Sequence, residues 1–156
     1  MVEAGALVKE LQEMRDDGHL SDALLRYAVR AIEPSDERFS WVGVYRQNDG
    51  ADEIWLHNYI GAGTDNAKVP FGAGVMGKAA ADKENKNVGD LTTVEDAIVS
   101  AEDAMSEMVV LIRAGDDVFG LFNLESEESD AFTAEDEANV QLIADKLAEQ
   151  IRAERR

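Results

Sequence analysis

The chain has no cysteine among its 156 residues. No disulfide, thiolate metal site or thiol nucleophile can therefore form within it. Positive charge is scarce as well: 15 lysines and arginines stand against 33 aspartates and glutamates, a net charge of −18. A surface of that sign repels nucleic-acid phosphates and anionic membranes, so neither is expected as a partner. Only two histidines occur, His19 and His57, and neither has a matching carboxylate cluster for zinc. Long apolar runs are missing too. No segment approaches the roughly 20 apolar residues of a membrane-spanning helix. The N-terminus lacks the basic region and following apolar stretch of a secretory signal. These absences point to a cytoplasmic protein with no metal and no cofactor.

What the chain does have is enough to fold. At 156 residues and 45% hydrophobic content it fits one domain, residues 1–156, around a single core. Acidic residues run through the foldable segments instead of gathering in a tail. That distribution suits a solvated surface in a salt-rich, halophilic cytoplasm, where ions screen self-repulsion. An acidic binding face is the alternative.

Apolar periodicity predicts two N-terminal helices within residues 5–33. The first carries Ala6, Leu7, Leu11 and Met14 on one face and stops at Gly18. Ser21 is placed to cap the second, Leu20 and Leu25 to staple its entry, and Pro34 to end it. Alternation from Phe39 to Arg46 marks a strand with Phe39, Trp41, Gly43 and Tyr45 on one face. Asp49-Gly50 signals a hairpin turn into a second strand, Glu53 to Ile60. A short extended piece over 67–71 leads to a glycine turn and a helix reaching about Asp82. Asn87 to Gly89 reads as a brief strand, and Thr92 or Thr93 as the cap of an acidic helix reaching about Asp103. Glu107–Arg113 and Val118–Glu125 form the best hairpin. Thr133 with Asp136 makes a capping box for a final helix over 133–155, with Val140, Ile143, Ala144, Leu147 and Ile151 as its stripe. Antiparallel hairpins between terminal helices, with a sheet core over 38–127, indicate an α+β fold.

The segment Lys68-Val-Pro-Phe-Gly-Ala-Gly-Val-Met-Gly-Lys-Ala-Ala-Ala81 imitates two nucleotide motifs. Gly72, Gly74 and Gly77 fit a dinucleotide fingerprint, and Gly72, Gly77 and Lys78 most of a phosphate loop. The loop needs a hydroxyl after its lysine to hold Mg²⁺, and Ala79 stands there. The fingerprint needs a continuous buried strand before it, whereas Pro70 interrupts this one. The segment reads instead as a strand-to-helix turn at the edge of a pocket.

Four blocks together, Phe-Ser-Trp-Val-Gly-Val-Tyr45, Val-Pro-Phe-Gly-Ala-Gly-Val-Met-Gly77, Ser-Glu-Met-Val-Val110 and Phe-Gly-Leu-Phe-Asn-Leu-Glu-Ser126, resemble a GAF domain. More narrowly, from about residue 38 onward, the chain resembles the free methionine-(R)-sulfoxide reductase branch of that superfamily. The resemblance implies a six-stranded antiparallel sheet with the terminal helices packed on one face. It implies a ligand pocket on the other face, under the central loops and the helix after Gly74. In the reductases three cysteines carry the redox chemistry; matched to this sequence, their places hold Asn66, Met76 and Ser100. Reduction by that route needs one thiolate to attack sulfur and another thiol to resolve the product. Both are missing.

Part of the implied pocket persists. Glu107 matches the carboxylate that binds the substrate ammonium in the family. Two acidic family positions fall on Asn123 and Glu125, and Trp41 and Tyr45 lie in the aromatic first-strand block. With Met76 and Ser100, these residues make up the candidate ligand-binding set. Two carboxylates facing a cavity suit a cationic or amino-acid-like ligand; the alternative for Glu107 and Glu125 is a solvated strand surface. The first functional expectation is a catalytically inactive, stand-alone GAF protein that binds a small molecule or signals. A diverged enzyme acting on methionine sulfoxide or a related amino acid is the second. The third is a dimerisation module with a vestigial pocket. The resemblance favours a homodimer through terminal helices, using Leu7, Leu11 and Met14 with Val140, Ile143, Leu147 and Ile151; those stripes could equally cover the chain's own sheet.

Overall fold

The computed structural model, which describes residues 2–48 and 50–155, has strands β1 Trp41–Gln47, β2 Glu53–Ile60, β3 Lys68–Pro70, β4 Lys86–Val88, β5 Ser106–Ala114 and β6 Asp117–Ser126. They form a single sheet in the order β3-β2-β1-β6-β5-β4, every neighbouring pair antiparallel. Helices α1 Ala4–Asp16, α2 Ser21–Ile32 and α4 Ala134–Glu154 cover one face; α3 Gly74–Asp82 and the loops cover the other. This is the α+β architecture expected from the sequence. No helix among the described residues is long and apolar enough to cross a membrane.

The sheet separates two cores. On the helix side Val42, Val44, Met108, Val110, Phe122 and Leu124 pack with the stripes of α1, α2 and α4. On the other side Trp41, Tyr45, Val109, Leu111 and Leu121 pack under Met76 and Ala79 of α3. The central strands β1, β5 and β6 are therefore buried on both faces along most of their length, which accounts for their near-continuous apolar runs. Leu7, Leu11, Val140, Ile143, Leu147 and Ile151 all lie in the helix-side core. Those stripes cover this chain's own sheet.

Local signals hold where the physics is local. Thr133 accepts from Asp136 N while Asp136 accepts from Thr133 N, so the capping box forms as expected. Asp136 is also held by Arg38, which bridges to Asp36. The turn at Gly77 has a steric cause: a Cβ there would lie 2.4 Å from the Pro70 carbonyl oxygen. Only glycine lets that strand end close onto α3.

Four expectations are corrected. Ser21 does not cap α2 with its own side chain; its N–H and hydroxyl both donate to the Glu154 carboxylate of α4, each at 2.9 Å. A tertiary carboxylate replaces the local cap. Leu20 is 61% exposed, so it forms no staple. Phe39 precedes β1 and packs in the helix-side core, not on the face of Trp41 and Tyr45. Only a 3₁₀ turn, Leu91–Thr93, forms in the segment expected as an acidic helix, and Asp90 caps it. Downstream, Asp96 is drawn to α3 and the Ser100 and Ala101 amides to Glu125, so tertiary partners outcompete the helix ladder. In the hairpin turn Gly50 has a φ of +74°, as the turn signal requires; Asp49 lies outside the described residues.

Candidate functional site

Strand register builds the site in cross-strand rows. Glu107 pairs with Glu125, which pairs with Trp41; Val109 pairs with Asn123, which pairs with Gly43; Leu111 pairs with Leu121, which pairs with Tyr45. Side chains two apart on a strand share a face. Trp41, Tyr45, Glu107, Asn123 and Glu125 therefore point together to the side away from the terminal helices, where Met76 of α3 and Ser100 of the covering loop meet them. All are buried: Ser100 is 8% exposed, Met76 1%, and the others 0%. The solvated alternative for Glu107 and Glu125 is excluded.

Glycine makes room for the aromatic wall. A Cβ on Gly43 would lie 2.4 Å from the Trp41 ring, so the indole lies flat across β1 only because position 43 is bare. Trp41 stacks on Tyr59 of β2, with centroids 5.3 Å apart, and its indole N–H donates to Ala62 O at 3.0 Å. The Tyr45 hydroxyl donates to Asn66 O at 2.9 Å, and Asn66 Nδ2 donates to Val99 O at 3.1 Å. Asn66 thus ties the loop after β2 to the loop that carries Ser100.

The polar groups divide into satisfied and unsatisfied. Glu125 accepts from Ser100 N at 2.9 and 3.1 Å, from Ala101 N at 2.8 Å and from Asn123 Nδ2 at 3.2 Å. Burial still raises its pKa above the ordinary range, against the pull of those bonds. Glu107 has no hydrogen-bond partner on either carboxylate oxygen. Desolvation, and then the neighbouring Glu125, push its pKa well above the ordinary carboxylate value. Asn123 Oδ1 and Ser100 Oγ are also buried without a well-formed bond, although Ser100 lies close enough to Tyr45 to ease ionisation of its hydroxyl. Burial dominates at Tyr45, whose pKa is pushed up to about 12.

No Ser-His pair forms: His57 sits in the Asp22 and Asn58 contacts beside α2, and Glu125, the carboxylate that the Ser100 hydroxyl approaches, also accepts from the Ser100 and Ala101 amides. The described residues contain no group of three or more His, Asp or Glu able to hold a metal ion. For a cation the arrangement is good, since the unpartnered atoms are mainly acceptors beside carboxylates. A cleft of about 390 Å³ beside α3 reaches Val88, the cross-strand partner of Glu107. A larger one of about 680 Å³ lies at the far strand ends, between Gln47, Phe119 and Arg155.

Sequence reasoning named the side chains but missed Tyr59, the Ala101 amide and Asp96. Tyr59 carried a usable signal, an aromatic in a strand that a hairpin sets against β1. The amide and Asp96 act through loop conformation, which leaves no periodic trace.

The sequence profile of the GAF domain family matches residues 18–152. Protein YtsP of Bacillus subtilis (strain 168) is 25% identical over 143 residues, covering 90% of this chain and 86% of its own. In fold, the chain is similar to free methionine-R-sulfoxide reductase from Neisseria meningitidis, solved in complex with its substrate. That likeness has a TM-score of 0.86 at 24% identity, covering 97% of this chain and 90% of the other. It is also similar to the GAF domain of a phosphoenolpyruvate-protein phosphotransferase from Coxiella burnetii. There the TM-score is 0.82 at 18% identity, with 97% and 94% covered.

Proposed function

The chain belongs to the GAF domain family, and on that footing we propose that it is a non-catalytic module binding a small cationic, amino-bearing molecule between the sheet and α3. One observation carries the reading: Glu107 is fully buried with both carboxylate oxygens unpartnered, beside the buried Glu125. An unsatisfied buried polar group costs about 1–3 kcal/mol, so an apolar residue would serve the fold better. A ligand ammonium supplies the missing donors and the opposite charge together. The aromatic wall of Trp41 and Tyr45, with Met76, gives the ligand's apolar part a surface to pack on.

The absence of the reductases' thiol chemistry follows from composition. Without cysteine there is no thiolate to attack a sulfoxide and no thiol to resolve the product. Incubation with free methionine-(R)-sulfoxide and a thiol reductant is expected to give no turnover. Calorimetric titration at neutral pH with small ammonium compounds is expected to show binding that Glu107→Met abolishes. Turnover of the sulfoxide, or failure of every ammonium compound to bind, overturns the reading. A homodimer through the terminal helices belongs to the same proposal. It would use exposed Leu20 and Tyr27, which line a cleft of about 540 Å³ with Met14, instead of the buried stripes.

A further inference from the structure

Resting on the reading of this site as an ammonium pocket, we infer that its occupant is an amine lacking an α-carboxylate, and that Glu125 enforces the exclusion. An amino acid is a zwitterion and needs two sets of partners, acceptors for its ammonium and donors for its carboxylate. The site supplies the first set and has spent the second. The carboxylate and amide acceptors left over are Glu107 Oε1 and Oε2 and Asn123 Oδ1, and the Ser100 hydroxyl oxygen is unpartnered as well. Three acceptors match the three N–H donors of a primary ammonium, which itself accepts nothing.

The donors are already taken by the chain. Ser100 N and Ala101 N, amides of the covering loop, both donate to Glu125. The first N–H of α3, on Gly74, donates to Asp96 at 3.3 Å, and Asp96 also takes Lys78 at 2.6 Å. Asn123 Nδ2 is bound to Glu125, and the Tyr45 hydroxyl and Trp41 indole are bound to backbone carbonyls. Among the described residues no Lys, Arg or His is fully buried, and the two lysines at the cleft beside α3, Lys78 and Lys86, are paired with Asp96 and with Asp82 and Glu84. The charged group that acts on Glu107 is Glu125, another acid. A ligand carboxylate placed here meets two carboxyl groups; the Ser100 hydroxyl and the proton that burial keeps on Glu107 are free to donate, and the other donors named above are spent. Glu125 stands in for that carboxylate: it occupies the two loop amides as an intramolecular anion.

The test uses matched pairs that differ only by the carboxylate: 3-(methylthio)propylamine against L-methionine, and isopentylamine against L-leucine. In calorimetric titrations of the full chain at neutral pH, each amine is expected to bind at least tenfold more tightly than its amino acid. Glu125→Ala frees the Ser100 and Ala101 amides and is expected to shrink that ratio at least tenfold. Should Glu125→Ala fail to fold, Glu125→Gln keeps an acceptor for the amides while removing the charge. Amine affinity is then expected to fall about tenfold, with amino acids still excluded. Amino acids binding as tightly as the amines overturn the inference and leave the ammonium pocket standing. An unchanged ratio in Glu125→Ala, or unchanged amine affinity in Glu125→Gln, overturns the role of Glu125. If no member of either pair binds, the ammonium pocket itself falls, and this inference with it.

Discussion

On the helix side of the sheet, Val42, Val44, Val110, Phe122 and Leu124 meet three helices in a layer that is almost entirely hydrocarbon. Among its buried polar residues, Ser21, Asp136 and Gln150 are engaged by Glu154, Arg38 and Thr133, and the orphan Arg46 Nε lies at its half-buried margin. On the opposite side, the same strands β5 and β6 bury Glu107, Asn123 and Glu125 under a loop and one short helix, and several of their atoms have no partner. One sheet thus carries a face whose buried polar groups are satisfied and a face whose apolar core encloses polar atoms that lower its stability. Orphaned polar atoms on the second face are what a ligand would satisfy, so lost stability and gained recognition are two descriptions of the same atoms.

Experiments can break that comparison. The largest effect is expected on the helix side, where Phe122→Ala removes a fully buried ring and costs about 3–5 kcal/mol. Denaturant melts should show the loss, with the affinity of an amine ligand nearly unchanged. A comparable loss of affinity would mean that the two faces are coupled through the sheet.

Glu107→Met should act in the opposite direction, raising stability at neutral pH by about 1–3 kcal/mol, the order of one unsatisfied buried group. The sign follows from linkage. The Glu107 carboxyl is raised above its ordinary value of 4.5, so the folded chain keeps a proton that the unfolded chain has lost. Its contribution is complete below about pH 4.5 and is lost as pH rises through the folded value. The advantage of Glu107→Met should therefore widen from pH 4 to pH 8; a constant gap would refute the buried, unpaired state of Glu107.

The most diffuse effect concerns neither face. With a net charge of −18, raising KCl from 0.1 M to 1 M shortens the Debye length from about 10 Å to about 3 Å. The thermal midpoint should then rise in the wild type and in both variants alike. A midpoint that falls would end the expectation of a salt-adapted surface.

Much of the fold was legible in the sequence, and the reason varies by element. β2 begins and ends at Glu53 and Ile60, where alternation and flanking turns place it. The α4 start was visible because Thr133 and Asp136 satisfy each other within four residues. The start of α2 was misread because its cap comes from Glu154, 133 positions away. The acidic segment after Thr93 was misread for a similar reason: its polar backbone is committed to α3 and β6. The site divides along the same line. Glu107, Asn123 and Glu125 were named from their resemblance to a family, but nothing in the sequence distinguished buried carboxylates from solvated ones.

Composition and periodicity determined the α+β class, the stripes that fill the helix-side core and the absence of thiol chemistry, because each depends on residue type or near neighbours. Only the tertiary structure decided which polar groups are satisfied. Glu125 meets the Ser100 and Ala101 amides across 24 or 25 residues, while Glu107, its cross-strand partner, meets none. Hydrogen-bond completeness depends on what folding brings within about 3 Å of each atom. A carboxylate therefore becomes a surface charge, an internal anion or an ammonium ligand only when the chain has closed around it.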